Sequence, residues 1–315
     1  MADASQILYD AIELDLENEE LYFAYWCCDF WGKSIETVAN GTELEKGNKI
    51  FSRWVDFIEL LERNEKSEKT SEKEKKKKIR ANPKTMYATK RGVFSFALDC
   101  FLKQKEHIQN DQSVAVSTKA ELFLKIGICY KELGEYNKAI GYLQDANVIL
   151  PSSSPIWAQV ADCLALSGEE KQAKLHFREA FFFDAQKIEL AFLESEMIQA
   201  VIKKAKTRNC TKSELLEWIP VYGELTYVFN IKHGLSSQAV TKLERDIADK
   251  EIAMKDPANS TQMLTPKLIN MCFRIIDHYE RSTDAGAAQK SLEYQWRIKG
   301  YSEEIYNLYT ASRKV

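Results

Sequence analysis

The side chains that could perform catalysis or bind a metal are scattered through this sequence of 315 residues. None of the four histidines belongs to an HExxH motif or has a cysteine or acidic residue at metal-ligand spacing. These histidines are His107, His176, His233 and His278. The sequence also lacks a glycine-rich phosphate-binding loop and a GxSxG nucleophile motif. It therefore predicts no enzymatic activity, no cofactor and no bound metal.

The cysteines also give no indication of a disulfide framework or a metal site. Their odd number and the absence of a CxxC pair argue against a disulfide framework and against a zinc site. The seven cysteines are Cys27, Cys28, Cys100, Cys129, Cys163, Cys210 and Cys272. We expect them to be reduced thiols, mostly buried, in a cytoplasmic protein.

The composition is that of a folded protein built from helices. Six prolines and twelve glycines are few for this length, which favours helices joined by short turns. The formal net charge of −3 argues against nucleic-acid binding by the whole chain. We expect no membrane span, because the sequence contains no run of eighteen apolar residues. We also expect no secretion signal, because Met1–Gln6 lacks a basic start. These features predict a cytoplasmic location.

Residues 65–84 differ in composition from the rest of the chain. Nine basic and four acidic residues give this segment a net charge of +5, with almost no apolar side chain. Such a segment cannot bury a face, so we interpret it as a charged linker. Binding to anionic phosphates or to a membrane surface remains an open alternative.

The clearest pattern is an internal repeat, in which residues 120–153 are followed by a second copy at 154–187. Eight positions that are 34 residues apart carry side chains of the same size class. The pairs are Phe123 and Trp157, Ile126 and Val160, Gly127 and Ala161, Tyr130 and Leu164, Gly134 and Gly168, Ala139 and Ala173, Leu143 and Phe177, and Ala146 and Ala180. A period of this length indicates stacked helical units, because one unit cannot bury its own apolar face.

These positions resemble the tetratricopeptide repeat (TPR) family, whose signature W-x2-L-G-x2-Y, A-x3-F and P recurs every 34 residues. The resemblance implies an all-α fold, a TPR-type α-solenoid of antiparallel helix pairs with additional N- and C-terminal helices. It places helices at about 119–133 and 136–150 in the first repeat, and at about 154–167 and 169–184 in the second. It also implies that Gly127 and Ala161 lie where the two helices of a pair cross. We expect at least about 60% helix, well above the usual share.

The rest of the chain is assigned around these repeats. Residues 1–64 are predicted to form N-terminal helices, for which a degenerate repeat is one interpretation, and residues 85–208 are predicted to form the TPR array. Within the array Phe94, Ala97 and Phe101 mark a second helix of a degenerate repeat, and 188–206 a capping helix. Residues 209–315 form a C-terminal helical region without a repeat match. Its five predicted helices are Ser213–Ile231, Ser236–Met254, Pro266–Arg281, Ala285–Lys299 and Ser302–Arg313.

The resemblance also implies where a partner binds. TPR co-chaperones hold the carboxylate tail of heat-shock chaperones with lysines and asparagines that line a concave groove. The corresponding positions here are Leu124, Ile128, Lys131, Ala158, Asp162 and Ala165. Because the lysine–asparagine pair is missing and Asp162 would repel a carboxylate, we expect an apolar helical segment as the occupant. That segment belongs either to a partner or to one of the chain's own terminal helices.

The function predicted from these patterns is that of a non-catalytic protein–protein interaction scaffold or adaptor of TPR type. One alternative is a subunit of a larger bacterial envelope or motility assembly, in which the array is mostly covered. Another alternative, from a different class, is an enzyme with its activity in residues 209–315, although no motif supports it. The partner's identity and the oligomeric state are open at this point.

Overall fold

A computed structural model describes residues 2–38, 40–67, 80–108, 113–229 and 234–313. The structure is 81% helix, and the described ranges contain no strand, which confirms the predicted all-helical class. Fourteen α-helices in these ranges pack in neighbouring pairs. The chain divides into two compact units, unit 1 (Met1–Pro151) and unit 2 (Ser152–Val315), so the division falls between the two repeats.

Unit 1 contains six α-helices. They are α1 Ala2–Leu14, α2 Glu19–Val38, α3 Glu43–Ser67, α4 Pro83–Ile108, α5 Val116–Glu132 and α6 Tyr136–Ile149. Sequence neighbours pack together as α1 on α2, α3 on α4 and α5 on α6, and α2 also contacts α4. Most of the predicted linker at 65–84, namely 68–79, lies outside the described residues.

Aromatic side chains form the core of the first four helices. The ring of Trp54 on α3 lies 6.2 Å from that of Trp31 on α2 and 4.9 Å from that of Phe94 on α4. All three side chains are buried, as are Phe23, Phe57 and Phe101. Since a buried aromatic side chain removes about 150–250 Å² from water, these rings supply much of the stabilisation that holds α2, α3 and α4 together.

The α5–α6 pair has the close helix crossing that the repeat predicts. A Cβ atom added at Gly127 would lie 2.7 Å from Leu143 Cγ and 3.3 Å from the carbonyl oxygen of Ala139. The turn between the helices uses Gly134, whose φ of +79° suits glycine. The N–H of Glu135 donates to the carbonyl of Tyr130 at 2.8 Å, which is the Schellman helix end.

Unit 2 contains the other eight α-helices. They are α7 Ser154–Leu166, α8 Glu170–Asp184, α9 Glu196–Lys206, α10 Lys212–Leu225, α11 Ser237–Met254, α12 Thr261–Arg281, α13 Ala287–Tyr301 and α14 Glu303–Ser312. Helices α7 and α8 pair across a turn at Gly168, where φ is +90°, and the N–H of Glu169 donates to Leu164 O at 2.8 Å. The second repeat therefore ends its first helix with the same capping geometry as the first repeat.

The predicted capping helix at 188–206 is shorter than expected. Its α-helix, α9, begins only at Glu196, and the residues before it form two short 3-10 turns, Ala185–Lys187 and Leu190–Phe192. The cause is the carboxylate of Asp162, which accepts the backbone N–H groups of Glu194 and Ser195 and so fixes the chain outside helical geometry.

The predicted helix Ser213–Ile231 also ends early, at Leu225. Tyr227 has a φ of +60°, and the N–H of Phe229 turns back to the carbonyl of Gly223 at 2.9 Å. The ring of Phe229 then packs where a side chain at Gly223 would stand, since an added Cβ would lie 2.2 Å from Phe229 Cδ2. Pro220 lies inside this helix and is buried.

Candidate functional site

The six predicted groove residues lie three in each unit, and most of them are inaccessible. In unit 2, Ala158 and Asp162 are fully buried, and Ala165 is half-buried. Both carboxylate oxygens of Asp162 accept backbone N–H groups, from Glu194 at 2.9 Å and from Ser195 at 2.8 Å. The expectation that Asp162 faces a partner is therefore wrong, because this carboxylate is committed to the N-terminal entry of α9.

The three groove residues of unit 1 are placed in a similar way. Leu124 is half-buried, whereas Ile128 and Lys131 are buried. The ammonium of Lys131 lies 3.5 Å from Glu132 Oε1, and Lys90 Nζ lies 2.7 Å from Glu132 Oε2. Lys131 is thus part of a buried ion cluster and does not present its charge to solvent. Glutamate at both Ile128 and Ala158 would bury two carboxylates, so these substitutions would destabilise the fold and could not test partner binding.

An open apolar pocket lies elsewhere in unit 1, between α2 and α4, and encloses about 330 Å³. Its lining residues are Cys27, Cys28, Trp31 and Ile35 of α2, Ile50 of α3, and Ala88, Thr89, Gly92, Val93 and Phe96 of α4. The buried side chains of Trp31, Ile50 and Val93 form its base. This volume lies at the small end of the range for ligand pockets, so it suits one or two apolar side chains.

The pocket exists because small residues stand where α2 and α4 face each other. Cys28 on α2 and Ala88 and Gly92 on α4 leave space that larger side chains would fill. A Cβ atom added at Gly92 would meet no heavy atom within 4 Å. The lining residues of α4 recur at helical spacing and therefore share one face. The sequence interpretation missed this site, although a row of small residues opposite the aromatic-rich α2 was its signal.

The rim of the pocket exposes apolar area. The side chains of Ile35 and Phe96, which line the opening, are each 44% exposed. Large apolar residues grouped around an opening, rather than scattered singly, are typical of a surface that binds a partner. The pocket with its rim is therefore the best candidate site in unit 1.

The thiols in the pocket behave as apolar surface. Burial raises the pKa of Cys27 to about 12, and burial also raises the pKa of Cys28. A reactive cysteine needs the opposite shift, because the thiolate is the nucleophile. Both thiols are thus protonated at neutral pH, and the arrangement favours binding over covalent chemistry.

Basic side chains flank the pocket on α4. Lys84 precedes Ala88 by one helical turn, and Arg91 precedes Gly92. The guanidinium of Arg91 donates to the hydroxyl of Tyr87 at 3.1 Å. Neither Lys84 nor Arg91 has a carboxylate within 4.0 Å among the residues that the structure describes. One side of an apolar pocket thus carries two uncompensated positive charges.

A second cavity, in unit 2, is larger and polar, with a volume of about 570 Å³ between α11, α12 and α13. Its centre is Glu244, whose Oε1 accepts the hydroxyls of Tyr279 and Tyr294, each at 3.3 Å. Lys290 donates to Tyr279 at 2.9 Å, and this hydrogen bond raises the pKa of Lys290. These groups satisfy one another, and none of these hydrogen bonds reaches a serine or cysteine nucleophile.

The remaining candidate chemistry is equally sparse. The ring nitrogen Nδ1 of His278 accepts the backbone N–H of Leu235 at 3.2 Å, and His233 lies outside the described residues. Within the described ranges, no group of three or more histidine, cysteine or acidic side chains is placed to hold a metal ion. Among the helices described, none combines the length and the apolar character needed to cross a bilayer.

Comparison with known proteins adds no family to these observations. The sequence matches no protein-family model, and a search of curated proteins finds no match.

Proposed function

We propose that this protein is a non-catalytic interaction scaffold of TPR type, and that the pocket between α2 and α4 receives apolar side chains from a helical partner segment. The observation that carries the proposal is the open apolar pocket with exposed Ile35 and Phe96 at its rim. An apolar helix that inserts side chains there would remove this exposed area from water, which is the main driving force of such association.

The TPR assignment is supported by the two helix pairs that the 34-residue repeat contains. In each pair the first helix ends at a glycine with positive φ, and the residue after that glycine closes the same hydrogen bond. In the first pair the small residue of the signature, Gly127, stands where the helices approach closely. Each of these features is one that stacked helix pairs need.

A helical occupant fits the shape of the pocket better than an extended one. The lining of α4 runs from Ala88 to Phe96, which are nine residues and span about 12 Å along the helix axis. Two anchors at positions i and i+4 of a partner helix are about 6 Å apart along its axis, so both fit within this length. An extended strand would instead need unpaired backbone groups, and α2 and α4 have none to offer along their lengths.

The experiment uses a displayed library of amphipathic 16-residue helical peptides, selected on the full chain. Binders are then titrated against Gly92→Leu, which places a side chain in the pocket, and against Gly141→Leu as a matched control. Both glycines lie inside helices of unit 1, and an added Cβ meets nothing within 4 Å at either place. Both variants should therefore fold, and each should gain slightly in helix propensity.

We expect enriched peptides to carry apolar residues at i and i+4, and to lose at least about tenfold in affinity for Gly92→Leu but none for Gly141→Leu. Peptides that bind both variants equally would place binding elsewhere and would contradict the proposal. A selection that enriches no helical binder would contradict it as well.

A further inference from the structure

Helix α1 presents an apolar stripe that the described residues of unit 1 leave largely exposed. Ile7, Ala11 and Leu14 follow one another at i, i+4 and i+7, so they lie on one helix face. Ile7 is 67% exposed and Leu14 is 90% exposed. Among the side chains of α1 that the structure describes, Ile12 is the only one that is buried. The helix therefore packs on α2 through one face and leaves an apolar face in water.

The same helix belongs to the most acidic part of the chain. Residues 1–32 contain eight acidic residues and no lysine or arginine. Asp10 and Glu13 are next to the apolar stripe, and Asp10 accepts a hydrogen bond from Gln6. Neither carboxylate has a cation within 4.0 Å in the described part of the chain. The stripe is thus apolar with uncompensated negative charge beside it.

This surface is complementary to the pocket in both respects. The pocket is apolar, and Lys84 and Arg91 beside it lack a counter-ion among the described residues. The distances also match, because Ile7 and Leu14 are about 10.5 Å apart along α1 and the pocket lining on α4 extends about 12 Å. The chain thus carries both halves of one complementary contact, an acidic apolar helix and an apolar pocket with a basic rim.

We infer that the occupant of the pocket is α1 of a second copy of this chain, with Ile7 and Leu14 in the pocket and Asp10 and Glu13 facing Lys84 and Arg91. This inference rests on the proposed function, since it names the partner of the same site. The two surfaces of such a contact differ, so the association is head-to-tail. Until a ring closes, one end copy keeps a free α1 and the other end copy keeps a free pocket. Charge pairs at its rim would make the association weaken as salt rises.

The test is analytical ultracentrifugation of the full chain at rising protein concentration, at low and at high salt. The wild type should associate with concentration, and the association constant should fall as salt increases. Two charge-reversed variants follow, Lys84→Glu with Arg91→Glu on the pocket side, and Asp10→Lys with Glu13→Lys on the helix side. Each variant alone presents like charges across the contact, and its association should weaken by about tenfold or more.

The equimolar mixture of the two variants is the decisive sample. In the mixture every contact between unlike variants joins opposite charges, so association should return, which general stickiness would not produce. Gly92→Leu should abolish self-association, while Gly141→Leu should leave it unchanged. All four substituted acidic and basic positions are exposed, and circular dichroism of each variant serves as the check that it folds.

The possible failures are distinguishable. A wild type that stays monomeric, while helical peptides still bind in a manner that depends on Gly92, would overturn this inference and leave the proposed function intact. Self-association that survives both charge reversal and Gly92→Leu would show that copies meet elsewhere and would also overturn it. If the wild type neither binds helical peptides nor self-associates, both the proposed function and this inference are contradicted.

Discussion

Replacing Gly127 with leucine should destabilise unit 1, whereas the same replacement at Gly141 should be neutral or mildly stabilising. A Cβ at Gly127 would lie 2.7 Å from Cγ and 2.8 Å from Cδ2 of Leu143, well inside the 3.5–4.0 Å at which carbon atoms pack. A Cβ at Gly141 would meet no heavy atom within 4 Å. Both sites are thus glycines inside helices, but there is no room for a side chain at Gly127, whereas there is room at Gly141.

The magnitudes follow from this geometry. Overpacking costs about 1–3 kcal/mol, and leucine adds four carbon atoms at a place where the first already clashes, so about 3 kcal/mol is appropriate at Gly127. Removing a glycine from a helix interior recovers about 0.7 kcal/mol at either site. Gly127→Leu should therefore lose about 2 kcal/mol of unfolding free energy, and Gly141→Leu should gain somewhat less than 1 kcal/mol.

Urea unfolding followed by far-ultraviolet circular dichroism measures both effects. The midpoint should fall for Gly127→Leu and should stay or rise for Gly141→Leu, with the urea dependence unchanged, since the same surface is exposed on unfolding. Equal losses at the two positions would refute the reasoning, because they would show that Gly127 is not at the crossing of α5 and α6.

Three further predictions concern unit 2. Asp162→Asn should cost about 1–3 kcal/mol, because the amide cannot accept both backbone N–H groups that the carboxylate accepts, and urea unfolding measures this loss. Asp277→Ala should cost about 3–5 kcal/mol by the same assay, because the guanidinium of Arg178, 3.1 Å from this carboxylate, stays buried without that partner. The control is Asp29→Ala, which removes the exposed ion pair with Lys33 and should cost at most about 1 kcal/mol. Burial lowers the pKa of His176 below its ordinary value of 6.5, so the unfolded state takes up a proton first as pH falls, and stability should drop below about pH 6.5. His176→Gln should flatten that decline between pH 7 and pH 5 in unfolding titrations, and an unchanged pH slope would contradict the assignment.

The sequence predicted the helices well where a repeat or a cap signal was local. The positions 34 residues apart located α5 to α8 within three residues at each end, because the glycine turns and the apolar spacing are encoded in the helices themselves. The helix class of the C-terminal region followed from the same spacing. These features depend only on neighbours in sequence.

The errors arose where a tertiary packing contact or a side-chain hydrogen bond, rather than the helical spacing, decides the local structure. No residue within 188–195 indicates that two backbone N–H groups of this segment donate to Asp162, so the predicted helix began too many residues before Glu196. At the end of α10 the deciding residue is close in sequence, but the apolar spacing does not show that Phe229 turns back and packs on Gly223. The burial of Lys131 and Asp162 was missed for a similar reason, since family positions do not reveal which side chains the rest of the chain buries.

The pocket could not be predicted because it is an absence of side chains between two helices. Cys28, Ala88 and Gly92 are unremarkable small residues until α2 and α4 are placed side by side. Each would be equally compatible with a tight helix crossing, as Gly127 is.

The most direct test of the pocket as a binding site is the rate at which a maleimide reagent alkylates Cys28, measured by peptide mass spectrometry with and without a saturating helical binder. Cys210, the other half-buried cysteine, lies in unit 2 and serves as the internal control. If the binder occupies the pocket, alkylation of Cys28 should slow at least about tenfold while that of Cys210 stays constant. An unchanged rate at Cys28 under saturating binder would contradict the account.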